Sequence, residues 1–104
     1  MQLRYPRAQA PNPVALLRQA GYAPFRDPQS HEESWVIRLG PDFYPRLHLY
    51  VEETPDQITL SFHLDQKKPS YGHSHQHNGE YDGPLLEKER TRLLSWIKAL
   101  NSEI

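Results

Sequence analysis

Three runs of strict alternation, residues 34–39, 44–52 and 57–65, constrain this chain more than any other feature. In the first, Trp35, Ile37 and Leu39 share one side, while Val36 and Arg38 take the other. The second sets Leu47, Leu49 and Val51 against His48, Tyr50 and Glu52. The third sets Ile58, Leu60, Phe62 and Leu64 against Thr59, Ser61, His63 and Asp65. Successive side chains leave a pleated strand on opposite sides, so a period of two marks a strand with one buried face. Gly40-Pro41-Asp42 and Thr54-Pro55-Asp56 supply turns between the runs. Together they predict an antiparallel sheet with one apolar and one polar face. Pairing Val51 with Ile58 keeps both inward and sets Tyr50 against Thr59, His48 against Ser61 and Arg46 against His63. A slip of one residue would mix the faces.

Helical signals flank the sheet. Asn12-Pro13 offers a cap with proline at the first helical position, and Gly21 stops the short helix that follows. Leu16, Leu17 and Ala20 are its inward residues. Asp82-Gly83-Pro84 opens a longer helix from Leu85 to about Leu100, apolar at positions 86, 93, 97 and 100. Leu85, Leu94 and Trp96 broaden that stripe, and Glu87, Lys88, Glu89, Arg90 and Arg92 are expected on the solvated side. The first dozen residues, with Pro6 and Pro11, read as an extended arm, and residues 23–33 as a polar, turn-rich connection. The expected architecture is one α+β domain over residues 13–104, in the order α-β-β-β-α. It has a three-stranded antiparallel sheet with two helices packed on one face.

A chain of 104 residues has room for one core, and a mean hydropathy of −0.82 means the patterned segments must supply it. No apolar run approaches the roughly 18–20 residues of a membrane span. No apolar stretch follows the basic start, so a secretory signal is not expected either. The absence of cysteine excludes disulfides and thiolate metal sites. These features point to a cytoplasmic protein with no membrane partner. A net charge of −1 is not the bulk signature of a nucleic-acid binder, although basic pairs occur at Arg4 and Arg7, Lys67 and Lys68, and Arg90 and Arg92.

Chemistry concentrates in a histidine-rich loop at 65–83, which leaves directly from the third run. His73, His75 and His77 alternate there, with Glu80 and Asp82 close behind. Imidazole is the commonest protein metal ligand, and alternate residues of an extended stretch converge on one side. If the loop folds back over the polar sheet face, His63 and Asp65 join the three as ligands of a divalent transition metal. Zinc and nickel, like copper, accept such donors. The bland alternative is a polar loop that meets metal adventitiously. A second reading is RNA or phosphoester chemistry on the same face. There His48 or His63 acts as base, Arg38, Arg46, Lys67 and Lys68 hold phosphate, and Tyr71 and Tyr81 stack on bases. A third is a non-catalytic interaction module presenting Trp35, Tyr44, Tyr50, Tyr71 and Tyr81.

Two resemblances accompany these readings. Leu16-Leu-Arg-Gln-Ala-Gly-Tyr22, followed by a polar turn with Ser30-His31, resembles the start of a HicA-type mRNA interferase, whose α-β-β-β-α order is that of the double-stranded-RNA-binding domain. The resemblance implies an RNA-acting domain with His31 as base, but Gln29 stands where that motif has glycine. Residues from about 16 to 97 also resemble a group of short, functionally uncharacterised bacterial proteins. The shared-looking pieces are Tyr-Pro-Arg-Leu-His, His-Leu-Asp-Gln-Lys-Lys-Pro-Ser-Tyr and His-Asn-Gly-Glu-Tyr-Asp-Gly-Pro-Leu. That likeness implies an intact domain and no particular activity.

Overall fold

The computed structural model describes residues 1–66, 79–80 and 82–102. The fold is α+β, with two helices and an antiparallel sheet larger than the alternating runs alone predict. Its strands are β1 (Gln2–Pro6), β2 (Ala23–Arg26), β3 (Glu33–Arg38), β4 (Arg46–Glu53), β5 (Gln57–Asp65) and a two-residue β6 (Gly79–Glu80). They lie in the order β1-β5-β4-β3-β2, with β6 pairing β5 as well. The helices are α1 (Pro13–Gln19) and α2 (Pro84–Asn101).

The three expected strands are present, and two more complete the main sheet. The segment read as an arm supplies β1, which pairs antiparallel with β5 so that Leu3 meets Leu60 and Tyr5 meets Ile58. Leu3 and Tyr5 are buried, and the Tyr5 hydroxyl donates to the Ala10 carbonyl at 3.0 Å. Burial pushes that phenol up to about 12. A short 3₁₀ turn at Arg7–Gln9 follows. Arg7 then ties the segment to the β4–β5 turn, donating to the Thr54 carbonyl at 3.0 and 3.1 Å and pairing with Glu53 at 2.7 Å. The connection 23–33 holds the other addition: β2 lines the free edge of β3, where the missing N–H of Pro24 is tolerated.

The β4–β5 register keeps the expected parity but is shifted. Val51 lies opposite Leu60, Tyr50 opposite Ser61, His48 opposite His63 and Arg46 opposite Asp65. The turn is centred between Pro55 and Asp56 rather than between Thr54 and Pro55. There the Thr54 N–H donates to the Gln57 carbonyl at 2.9 Å and the Gln57 N–H to Thr54 Oγ1 at 3.0 Å. Tight turn chemistry sets the register, and because the shift is even, every side chain keeps its face.

Both helices cover the apolar face. Leu16 and Leu17 of α1, and Leu86, Leu93 and Ile97 of α2, share one core with Leu47, Leu49, Ile58, Leu60, Phe62 and Leu64. Asn12 caps α1, its Oδ1 accepting the Ala15 N–H at 3.1 Å. Gly83 starts α2 at a φ of 111°, a left-handed conformation that favours glycine. Glu89 is not on the solvated side. It is 6% exposed, accepting from the Tyr22 hydroxyl at 2.6 Å and from Arg92 at 2.7 and 2.8 Å. Arg92 also donates to the Ala20 carbonyl at 2.8 Å, clamping α2 to the end of α1. Leu85 and Leu94, expected to broaden the apolar stripe, are exposed instead.

Candidate metal centre

The sheet face opposite the helices carries a compact polar group where β4 and β5 run side by side. Arg46 and His48 are alternate residues of β4, and Asp65 and His63 their cross-strand partners on β5. The observed register creates this group. Under the expected pairing, Asp65 would lie opposite Tyr44 and out of line with His48.

Asp65 is the hub. Its Oδ2 meets His48 Nδ1 at 3.0 Å and its Oδ1 meets His63 Nε2 at 2.6 Å, while Arg46 Nε lies 3.4 Å from Oδ2. Burial alone would raise this carboxyl. The hydrogen bonds from His48 and His63, with the charge those rings can carry, outweigh it and hold Asp65 well below the usual carboxylate range. The side chains of His48, His63 and Asp65 are 11%, 15% and 19% exposed, so water screens their interactions only partly. The rings also pack: His48 and His63 have centroids 5.3 Å apart, and Tyr50 stacks on His63 at 6.3 Å.

One ligand atom from each of His48, His63 and Asp65 lies within 4.8 Å of the others. Two donors on one tetrahedral zinc sit about 3.3 Å apart, from bond lengths of about 2.0–2.1 Å. The 3.0 Å between His48 Nδ1 and Asp65 Oδ2 is close to that spacing. The group borders a groove of about 570 Å³ lined by Met1, Gln2, His48, Tyr50, Ser61, Phe62, His63 and Asp65, which leaves room for water or a further ligand.

Ser34 was not singled out from sequence, yet its Oγ lies 2.7 Å from His48 Nε2 and 3.3 Å from the Phe25 carbonyl. Serine, histidine and aspartate in that sequence of contacts match a hydrolase triad in connectivity. Ser34 is 4% exposed and meets His48 on the nitrogen opposite the one that faces Asp65. When His48 Nε2–H donates to Ser34 and the hydroxyl donates on to Phe25, the Nδ1 lone pair points at the Asp65 position. The only advance signal for Ser34 was its parity with Val36 and Arg38.

The expected residues divide clearly. His63 and Asp65, both expected as ligands, lie together in this group. His48, expected as a base or as a substrate or nucleic-acid contact, stands with them and could supply a third donor to an ion. Arg46 also lies on this face, but it is buried among aromatic rings. His31 sits apart, on the turn between β2 and β3, with a φ of 62°. His73, His75, His77, Lys67, Lys68, Tyr71 and Tyr81 lie outside the described residues. No helix among the described residues is long and apolar enough to cross a membrane. No protein-family model, curated protein or solved structure matches the chain, so what the site can do follows from its own chemistry.

Proposed function

We propose that this protein binds a divalent transition-metal ion, zinc or nickel, through His48 Nδ1, His63 Nε2 and the Asp65 carboxylate. The observation that carries this reading is the convergence of the three donors beside a groove, with the far nitrogen of His48 already held by Ser34. Imidazole and carboxylate suit zinc and nickel, and a hydrogen bond on the non-ligating nitrogen is the usual support for a ligand histidine. In the absence of an ion, protons hold the rings to Asp65. A ring nitrogen that donates to Asp65 must give up that proton before it can hold an ion, so ion and proton compete for the same atoms.

A fourth ligand has two sources, water from the groove or the histidine-rich stretch. β6 pairs Gly79 with Asp65 and Glu80 with Leu64, so the described strands on either side of the histidine-rich stretch meet at the site. That anchoring supports His73, His75 or His77 as an added ligand. An ion with a water-filled position would act as a Lewis acid or hydroxide source toward a ligand in the groove.

The test is elemental analysis of untagged protein, followed by zinc and nickel titration near neutral pH. A stoichiometric ion is expected, with affinity falling more than about tenfold in His63→Ala and in Asp65→Asn. The triple variant His73→Ala/His75→Ala/His77→Ala separates the two ligand sources. Wild-type affinity in both His63→Ala and Asp65→Asn would sink the assignment of the ion to this group.

A further inference from the structure

A second feature of the same face adjoins the His48–His63–Asp65 group on its β3 side, through Arg46. Arg38 and Arg46 are direct cross-strand partners on β3 and β4. Like charges in that relation repel, and a sheet tolerates them only with compensation nearby. Little is present. Among the described residues Arg38 enters no ion pair, nor does Asp42 in the intervening turn. Among those residues Arg46 pairs only with Asp65, at 3.4 Å through Nε, and that carboxylate already serves two imidazoles.

Arg46 is nonetheless 4% exposed. Its guanidinium carbon lies 4.3 Å from the Phe43 ring centre and 4.8 Å from those of Phe25 and Tyr44. Arg38 lies over the same Phe43 ring at 5.4 Å. Within this cage, Arg46 Nη1 is buried with no hydrogen-bond partner among the described residues. Buried donors are nearly always satisfied, and a guanidinium donor left unsatisfied points to a missing acceptor. Phe43, which covers it, is 44% exposed and sits in the turn between β3 and β4, so displacing one surface ring would uncover Nη1.

We propose that Arg38 and Arg46 form an oxyanion site for the terminal phosphate of a small molecule, with Phe43 as its cover. Two guanidiniums on separate strands offer donors from different directions, which suits the several oxygens of a phosphate better than one planar carboxylate. The surrounding rings hold Arg46 in place before the anion arrives. Enclosure by three rings favours a terminal phosphate monoester, since a diester must thread two ester arms past them. The site adjoins the proposed metal group, touching it through Asp65, which meets Arg46, and through Phe25, which packs on His48.

The test is titration of the whole protein, in the presence of a chelator, with inorganic phosphate, phenyl phosphate and dimethyl phosphate. The Arg46 Nε–H resonance is followed by NMR. Phosphate and phenyl phosphate are expected to move that resonance, and dimethyl phosphate to bind at least about tenfold more weakly. Arg38→Gln, a change at an exposed residue that spares the core, is expected to weaken phosphate about tenfold. Phe43→Ala, which uncovers Nη1 and keeps both arginines, is expected to tighten it several-fold. An unmoved Arg46 resonance, or wild-type affinity in Arg38→Gln, would show that the aromatic cage alone explains Arg46. Equal affinity for dimethyl phosphate would overturn the terminal-phosphate assignment.

Discussion

Asp65 gathers four functions in one side chain: acceptor for two imidazoles, ion-pair partner of a buried arginine, proposed metal ligand and rung of the β4–β5 ladder. Its depressed carboxyl links stability to pH with a definite sign. Below the ordinary aspartate value of about 3.9, the unfolded chain takes up a proton that the folded chain resists, so unfolding becomes easier as pH falls. The stabilisation is fully present above that range and is lost progressively as pH drops toward the folded value. Urea melts of wild type and Asp65→Asn between about pH 3 and 6 should show a gap that is widest at the upper end and closes on acidification. A gap that stays constant across the range would mean the carboxylate is not specially stabilised in the fold. Metal affinity should also weaken as pH falls, because protons compete for the donor atoms, and titrations at two pH values read this directly. At this scale the sequence was partly legible. His63 and Asp65 stood out because they share the polar parity of the strand from which the histidine loop departs. The alliance of His48 with Asp65 was hidden, because it depends on a register set by the turn at Pro55-Asp56.

Among the elements, α2 shows how periodicity can be read correctly and one position still be misplaced. Position 89 falls three residues after Leu86 and four before Leu93, squarely on the buried stripe, yet a charged side chain suggests water. Tyr22 and Arg92 make its burial tolerable by satisfying both carboxylate oxygens. Removing one member of such a network costs more than removing an exposed charge. Glu89→Ala is expected to destabilise the fold by about 3–5 kcal/mol, and Leu94→Ala by less than about 0.5 kcal/mol, as read by denaturant melts. Asn12→Ala should cost about 1 kcal/mol through loss of the α1 cap. Equal effects for Glu89→Ala and Leu94→Ala would mean that the network adds nothing to the docking of α2. The caps were legible because they are local chemistry at fixed offsets. The partners of Glu89 were not, since Tyr22 lies 67 residues away along the chain.

For the whole molecule, the decisive difference is that the sheet closes with its own beginning. β1 covers the outer edge of β5 and adds Leu3 and Tyr5 to the core, so the first six residues belong to the folded unit. Leu3→Ala should cost about 2–5 kcal/mol, a large share of the roughly 5–15 kcal/mol typical of small domains. Deleting residues 1–6 should abolish the cooperative thermal transition followed by circular dichroism. A truncated chain that melts as wild type does would restore the view of this segment as a dispensable arm. The alternation of Leu3 and Tyr5 was present in the sequence, but it spans too few residues between prolines to outweigh the look of an arm. Phe25 in β2 had only the small Ala23 as an alternating apolar neighbour. What the sequence determined by itself was local: the period that makes strands, the caps that bound helices, and the face on which each side chain of β4 and β5 lies. Those properties follow from backbone geometry and nearest neighbours. Only the tertiary structure decided which edge strands join, which pairs stand opposite, and that His48, His63 and Asp65 meet. These outcomes depend on long-range pairing, in which one shifted turn moves every partner while leaving the pattern of faces intact.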